Sequence, residues 1–149
     1  MNLMGVVMKN ILVPVDGSEP SLRALRAALT LAKDQSGTCT VHVLNVQAPI
    51  ISNNVARFFT ADVLDAYYQD EGKEALKTAK ALLAQEQIPY QVHVTVGQIA
   101  EKVQAYIEEH DCDHVVMGTR GLGAVPGLLL GSATTKVLSR ITVPITLIK

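Results

Sequence analysis

Gly118-Thr119-Arg120-Gly121, nine further residues and Gly131-Ser132 form the most informative stretch of this chain. The apolar run His114-Val115-Val116-Met117 precedes it and a helix-compatible run, Ala133 to Arg140, follows it. The order is strand, glycine-rich loop, helix start. Glycines let a backbone approach a ligand closely, and a helix beginning near Ser132 aims unpaired N–H groups and a positive dipole end at whatever lies above it. That arrangement suits an anion, phosphate above all. It is not a Walker A loop, because Gly131 is followed by Ser132 and Ala133 and no lysine is placed to reach terminal phosphates. It is not the dinucleotide fingerprint either, which belongs to the first strand-to-helix turn, where this chain has Val15-Asp16-Gly17-Ser18. Taken alone, such a loop serves equally well as a tight turn.

A second element lies near the start, in Lys9-Asn10-Ile11-Leu12-Val13-Pro14-Val15-Asp16-Gly17-Ser18. It reads as a buried strand ending in a carboxylate, a glycine and a helix-capping serine. The carboxyl end of a first strand is where an α/β sheet puts ligand-contacting groups, and Asp16 there suits a ribose hydroxyl or a metal. Asp-Gly is also ordinary turn chemistry, so Asp16 by itself admits a purely local role.

Together the two elements resemble the universal stress protein family, in its nucleotide-binding branch. The family's Gly-x-x-Gly, nine residues, Gly-Ser/Thr is matched by Gly118, Gly121, Gly131 and Ser132, and its Pro-x-Asp-x-Ser by Pro14, Asp16 and Ser18. The likeness runs from Lys9 to Lys149 and includes Gly97 and the closing Val143-Pro144-Ile145. The resemblance implies a flavodoxin-like, doubly wound α/β fold with a parallel sheet of order 3-2-1-4-5. It also implies an adenine pocket of Pro14, Val46 and Met117, with Val15 also a nucleotide-binding residue and Asp16 near ribose or adenine. Gly118 and Gly121 would admit sugar and phosphates, and Gly131, Ser132 and Ala133 would hold the phosphate tail. Arg120 would pair with phosphate charge, or simply be solvated. The implied ligand is ATP or another adenine nucleotide, with Mg²⁺ touched at most indirectly by Asp16. A homodimer through Val143–Ile148 is implied too, since an apolar edge strand is a liability that pairing with a copy removes.

The function implied is that of an ATP-binding stress-response regulator or sensor, with hydrolysis slow or dependent on a partner. The second reading is a protein-interaction module, tuned to AMP or independent of nucleotide, that presents its dimer surface and the 49–60 segment. A small-molecule hydrolase or transferase on the same fold is a third, because fold does not fix function.

Composition agrees. The chain has 149 residues, 48% hydrophobic and 18% charged, with a net charge of −1. This predicts one domain over 1–149, with 1–8 a flexible extension, and gives no electrostatic reason for a nucleic-acid or membrane partner. No apolar run approaches the roughly 18–20 residues of a membrane span and Met1–Met8 does not read as a signal peptide, so a cytoplasmic protein is expected. Cys39 and Cys112 sit in apolar stretches as core thiols. His42, His93, His110 and His114 read as scattered, and His110 and His114 straddle a turn, so no metal site is expected. No nucleophile–base constellation is visible.

The remaining chain alternates strands and helices. Strands are expected at 9–15, 38–46, 90–96, 114–117 and 143–148. Leu22, Leu25, Leu29 and Ala32 give a first amphipathic helix capped by Ser18. Asp62–Gln87 gives a long second helix, and Gly97 opens a third with Ile99, Val103 and Tyr106 on one face. Such βαβ alternation implies a parallel sheet covered on both faces, with near-continuous apolar strands. Two segments stand outside the scheme. The 49–60 stretch, with Phe58-Phe59, reads as a mobile flap or as a pair of rings docked on the body or on another chain. The 123–130 stretch is strangely apolar for a phosphate loop, and its leucines need cover.

Overall fold

The computed structural model describes residues 7–50, 54, 57–122 and 125–149. Among these, strands β1 (Asn10–Pro14), β2 (Thr40–Gln47), β3 (Tyr90–Val96), β4 (His114–Gly118) and β5 (Ile145–Ile148) alternate with four helices. The helices are α1 (Glu19–Lys33), α2 (Ala61–Ala84), α3 (Ile99–His110) and α4 (Ser132–Arg140). The strands form one sheet of order β3-β2-β1-β4-β5, every pairing parallel. This is the order the resemblance implies.

Alternation along β1 divides the core. Ile11, Val13 and Val15 face a layer formed by Leu22, Leu25 and Leu29 of α1 and Leu76, Ala79 and Leu83 of α2. Leu12 faces the opposite layer with Leu44, Met117, Val103 and Ile107 of α3 and Val137 of α4. A strand buried on both faces must be apolar at every position, which is why Ile-Leu-Val-Pro reads without a polar interruption.

Several boundaries differ from the sequence reading, each for a local reason. Strand β5 begins at Ile145, not Val143; Pro144 cannot donate to a ladder, and its carbonyl accepts the Val115 N–H at 3.0 Å. Helix α2 stops at Ala84, short of Gln87, where the N–H groups of Gln85 and Glu86 fold back onto Leu82 and Leu83. Helix α3 starts at Ile99 with Gln98 as its cap, and the Gly97 N–H is spent on the Gln47 carbonyl. Strand β3 is not apolar on both faces: Gln91 and His93 are exposed, because this edge strand lies beyond the cover α3 gives to β1 and β2.

Three of the four histidines are not scattered; His114 stands apart, bonded to Thr146. His42 on β2 and His93 on β3 project from one face of neighbouring strands, where α3 brings Tyr106 and His110 one turn apart. The His42 ring lies 5.5 Å from Tyr106 and 5.6 Å from His110, His93 lies 5.3 Å from Tyr106, and Tyr106 stacks on His110 at 3.9 Å. His42 Nδ1 is 2.8 Å from the Tyr106 hydroxyl and Nε2 is 2.9 Å from Asn10 Oδ1. Among the described residues no three His, Cys, Asp or Glu side chains are grouped to hold a metal. Burial, then the charges of His110 and His93, lower the His42 pKa to about 4. Cys39 and Cys112 are buried free thiols, and burial, with Asp113 and Asp111 beside it, pushes Cys112 up to about 12. They are core residues, as expected.

Residues 1–6 of the expected extension lie outside the described residues, whereas Met8 donates its N–H to Gln35 Oε1 at 2.8 Å and packs on the core. Residues 51–53, 55 and 56 also lie outside them, and the flap reading rests there. Phe58, 83% exposed, is not docked on the body.

Candidate functional site

The topology creates a crevice where the chain reverses direction between β1 and β4. Their ladder pairs Ile11 with His114 and Leu12 with Val115, with no pairing beyond. The carboxyl ends of the two strands carry no further ladder pair, and a cleft of about 180 Å³ lies above them. Every residue expected from sequence to contact a nucleotide lines it: Pro14, Val15, Asp16, Val46, Met117, Gly118, Arg120, Gly121, Gly131, Ser132 and Ala133. Ligand pockets usually measure about 300 Å³ or more, so anything larger than a base must extend over the loop.

The inner wall is apolar, built from Pro14, Leu44, Val46, Ile99 and Met117. At the end of β1 the backbone is fixed from the side. Asn45, buried in β2, donates to the Val15 carbonyl at 2.9 Å, and Gln47 donates to Asn45 Oδ1 at 2.7 Å. Gly17, at φ 87°, takes the left-handed turn that ends the strand. Ser18 then caps α1, its hydroxyl oxygen accepting the Ser21 N–H at 3.3 Å.

The loop wall is held by its own backbone. Thr119 donates to the Ile148 carbonyl at 2.8 Å, and the Thr119 carbonyl accepts the Gly131 N–H at 2.7 Å, so the two ends of the excursion close on each other. Between them Val125-Pro126-Gly127-Leu128 turns with Gly127 at φ 87° and a Leu128-to-Val125 bond of 3.4 Å, which is type II turn chemistry. Residues 123 and 124 of this apolar stretch lie outside the described residues; Leu122, Val125, Leu128 and Leu129 are exposed. Helix α4 starts at the far end with Gly131 as N-cap and no side-chain cap. Its first intrahelical bond runs from Thr135 to Gly131, which leaves the preceding N–H groups without a helical partner at the cleft.

Asp16 and Arg120 are the ionisable side chains in the lining. Arg120 is exposed. Burial alone would raise the Asp16 pKa, but hydrogen bonds from Ser18, the Leu122 N–H and Ser21 outweigh it and hold the carboxyl below its usual range. Oδ1 accepts the Ser18 N–H at 2.9 Å and Oδ2 the Leu122 N–H at 3.0 Å.

Sequence reasoning missed Ser21, Leu44, Ile99, Leu122, Val125, Leu128 and Thr134 as lining residues. Thr134, 1% exposed, donates its hydroxyl to the Gly118 carbonyl at 2.9 Å and ties α4 to the end of β4. Its signal was present: a polar residue on the Val137 face of a short amphipathic helix. Ile99 was visible as a core position of α3, but nothing local shows that the helix begins over the cleft.

The universal stress protein family profile matches residues 8–149. Universal stress protein G of Salmonella typhimurium is 32% identical over 145 residues, covering 95% of this chain and 99% of that one. A universal stress protein of Methanocaldococcus jannaschii is 27% identical over 142 residues, covering 95% and 82%. Among solved structures, the universal stress protein of Lactobacillus plantarum superposes with a TM-score of 0.81 at 21% identity, covering 97% of this chain and 100% of that one. A family member from Arabidopsis thaliana with AMP bound superposes at 0.64 and 16% identity, covering 95% and 91%, and another universal stress protein was solved in complex with cAMP, at 0.65 and 22%, covering 96% and 98%. Among the described residues, no helix is long and apolar enough to cross a membrane. With its profile matched over nearly the whole length, the chain belongs to the universal stress protein family.

Proposed function

We propose that this protein binds ATP, or another adenine nucleotide, in the β1/β4 cleft and acts as a stress-response regulator or sensor. The observation that carries the reading is the uncapped start of α4 behind Gly131, facing an apolar slot across the cleft. A flat base fits between Pro14, Val46 and Met117, and phosphates fit the loop and the free N–H groups of α4. Arg120 adds one positive charge at the rim. Adenine nucleotides in relatives support the choice of base.

The donors present do not make a resident Mg²⁺ site. Among the described residues Asp16 is the only carboxylate in the lining, and both its oxygens already accept backbone N–H groups. Mg²⁺ would arrive with the phosphates and keep most of its water. The same engagement makes Asp16 a poor base for an attacking water, so hydrolysis is slow or waits for a partner.

Ligand at 100 times its Kd adds about 2.7 kcal/mol, or roughly 5–11 °C in Tm for a domain of this size. ATP is expected to produce such a shift and GTP is not; no shift with any adenine nucleotide counts against the proposal. Equal affinity for ATP and AMP would favour the second reading, an interaction module, to which the exposed Phe58 lends weight.

A homodimer through Val143–Ile148 completes the proposal. Strand β5 pairs only with β4 among the described residues, and its four residues are half-buried. An edge of that kind is covered most simply by its own copy. Sedimentation equilibrium should give twice the chain mass at micromolar concentration, and a monomer there would exclude the dimer.

A further inference from the structure

We propose that Asp16 serves the ligand as a positioning residue: its carboxylate clamps the first turn of the glycine loop to β1, and Gly121 is glycine because that clamp leaves no room for a side chain. The role of the clamped loop rests on the nucleotide reading; the clamp itself does not.

Beyond Leu12 and Val115 no ladder joins β1 to β4. The loop that follows β4 is tied to β5 through Thr119 and to α4 through Gly131 and Thr134. Among the described residues, the Leu122 N–H to Asp16 Oδ2 bond is the only hydrogen bond between that loop and the end of β1. It joins segments 106 residues apart and bridges the mouth of the cleft. The acceptor is ionised, which makes this bond stronger than a neutral one. Its second oxygen is pinned by the Ser18 N–H, so the carboxylate cannot swing away without losing the turn into α1.

The glycines sort accordingly. A Cβ at Gly121 would overlap Asp16 Oδ2. The backbone of Gly121 is not among those at positive φ, so an L side chain is forbidden by Asp16 and not by conformation. A Cβ at Gly118 would come within 3.0 Å of the Pro20 carbonyl carbon and 3.1 Å of the Arg120 oxygen. Two of the three motif glycines are thus explained by contacts inside the protein. In this chain the Asp of the first motif and the second Gly of the loop motif form one packed pair.

The test has three arms. In a double-mutant cycle on thermal stability, Gly121→Ala should lower Tm by about 4 °C or more in the native background, and by far less on Asp16→Ala, where the overlap is gone. Additive effects would overturn the clamp. By NMR hydrogen exchange, the Leu122 amide should exchange about tenfold faster or more in Asp16→Ala. Asp16→Leu, close to the same shape and without any acceptor, gives the same readout should the alanine variant not fold. An unchanged rate would overturn the proposal.

The third arm separates positioning from ligand contact. Asp16→Ala should weaken ATP and 2′,3′-dideoxy-ATP by the same factor, because the damage lies in the loop. A loss confined to ATP would instead make Asp16 a direct ribose ligand. If the native protein binds neither nucleotide, the nucleotide reading fails, while the cycle and the exchange rate still decide the clamp.

Discussion

Replacing Gly131 by alanine is expected to leave the protein folded at close to its native stability and to lower its ATP affinity about tenfold or more. Gly131 sits at φ −69° and ψ 165°, open to any residue. A Cβ there would meet Arg120 Cα at 3.4 Å, the Thr119 carbonyl at 3.6 Å and the Gly121 nitrogen at 3.8 Å, all ordinary contacts. Alanine is a weaker N-cap than glycine, but it also restricts the unfolded chain, and the two effects roughly offset, leaving stability within about 1 kcal/mol. Nothing inside the protein demands glycine at this position. On the proposed nucleotide reading, the added methyl would meet the phosphates as they approach the first N–H groups of α4. Gly121→Ala carries the opposite signature, with stability lost through Asp16. Native-like ATP binding by a folded Gly131→Ala variant would show that close approach of phosphate to this backbone is not required.

The second large effect is acid sensitivity centred on His42. Asn10 Nδ2 donates to the Asp111 carbonyl at 3.5 Å, which turns Asn10 Oδ1 toward the imidazole. This contact assigns the proton to His42 Nε2 and leaves Nδ1 to accept from the Tyr106 hydroxyl. A second proton would have to enter at Nδ1, against that hydroxyl, in a site 2% exposed and facing His93 and His110. The folded-state value of about 4 lies below the value of 6.5 for a free side chain. Between those limits the unfolded chain holds more protons than the folded one, so stability rises with pH there. The contribution is complete above about pH 6.5 and is lost as pH falls toward 4, by roughly 3 kcal/mol at most. Chemical denaturation at pH 7 and pH 4.5 should show a steeper loss for the native protein than for His42→Gln, which cannot titrate. Equal losses would remove His42 from the account.

What the sequence made legible was local. Asp16-Gly17-Ser18 and the Gly118–Ser132 loop carry their chemistry in consecutive residues, so the turn, the cap and the helix start could be read directly. The sheet order came from family likeness, because alternation of strands and helices leaves it open. Groups assembled by register were hidden. His42, His93 and Tyr106 meet only because β2 and β3 are neighbours and α3 crosses them, and no spacing in one chain encodes that. Nothing in consecutive residues reveals the task of Asn45, holding the Val15 carbonyl, because it belongs to the β1/β2 pairing. The exposed face of β3 was missed for the same reason: whether a strand lies at an edge is a property of the assembled sheet.

The central claim is that the β1/β4 cleft binds an adenine nucleotide. Calorimetric titration of ATP with Mg²⁺ into folded, nucleotide-free protein tests it most directly. The account predicts saturable binding near one nucleotide per chain; a flat trace would contradict it.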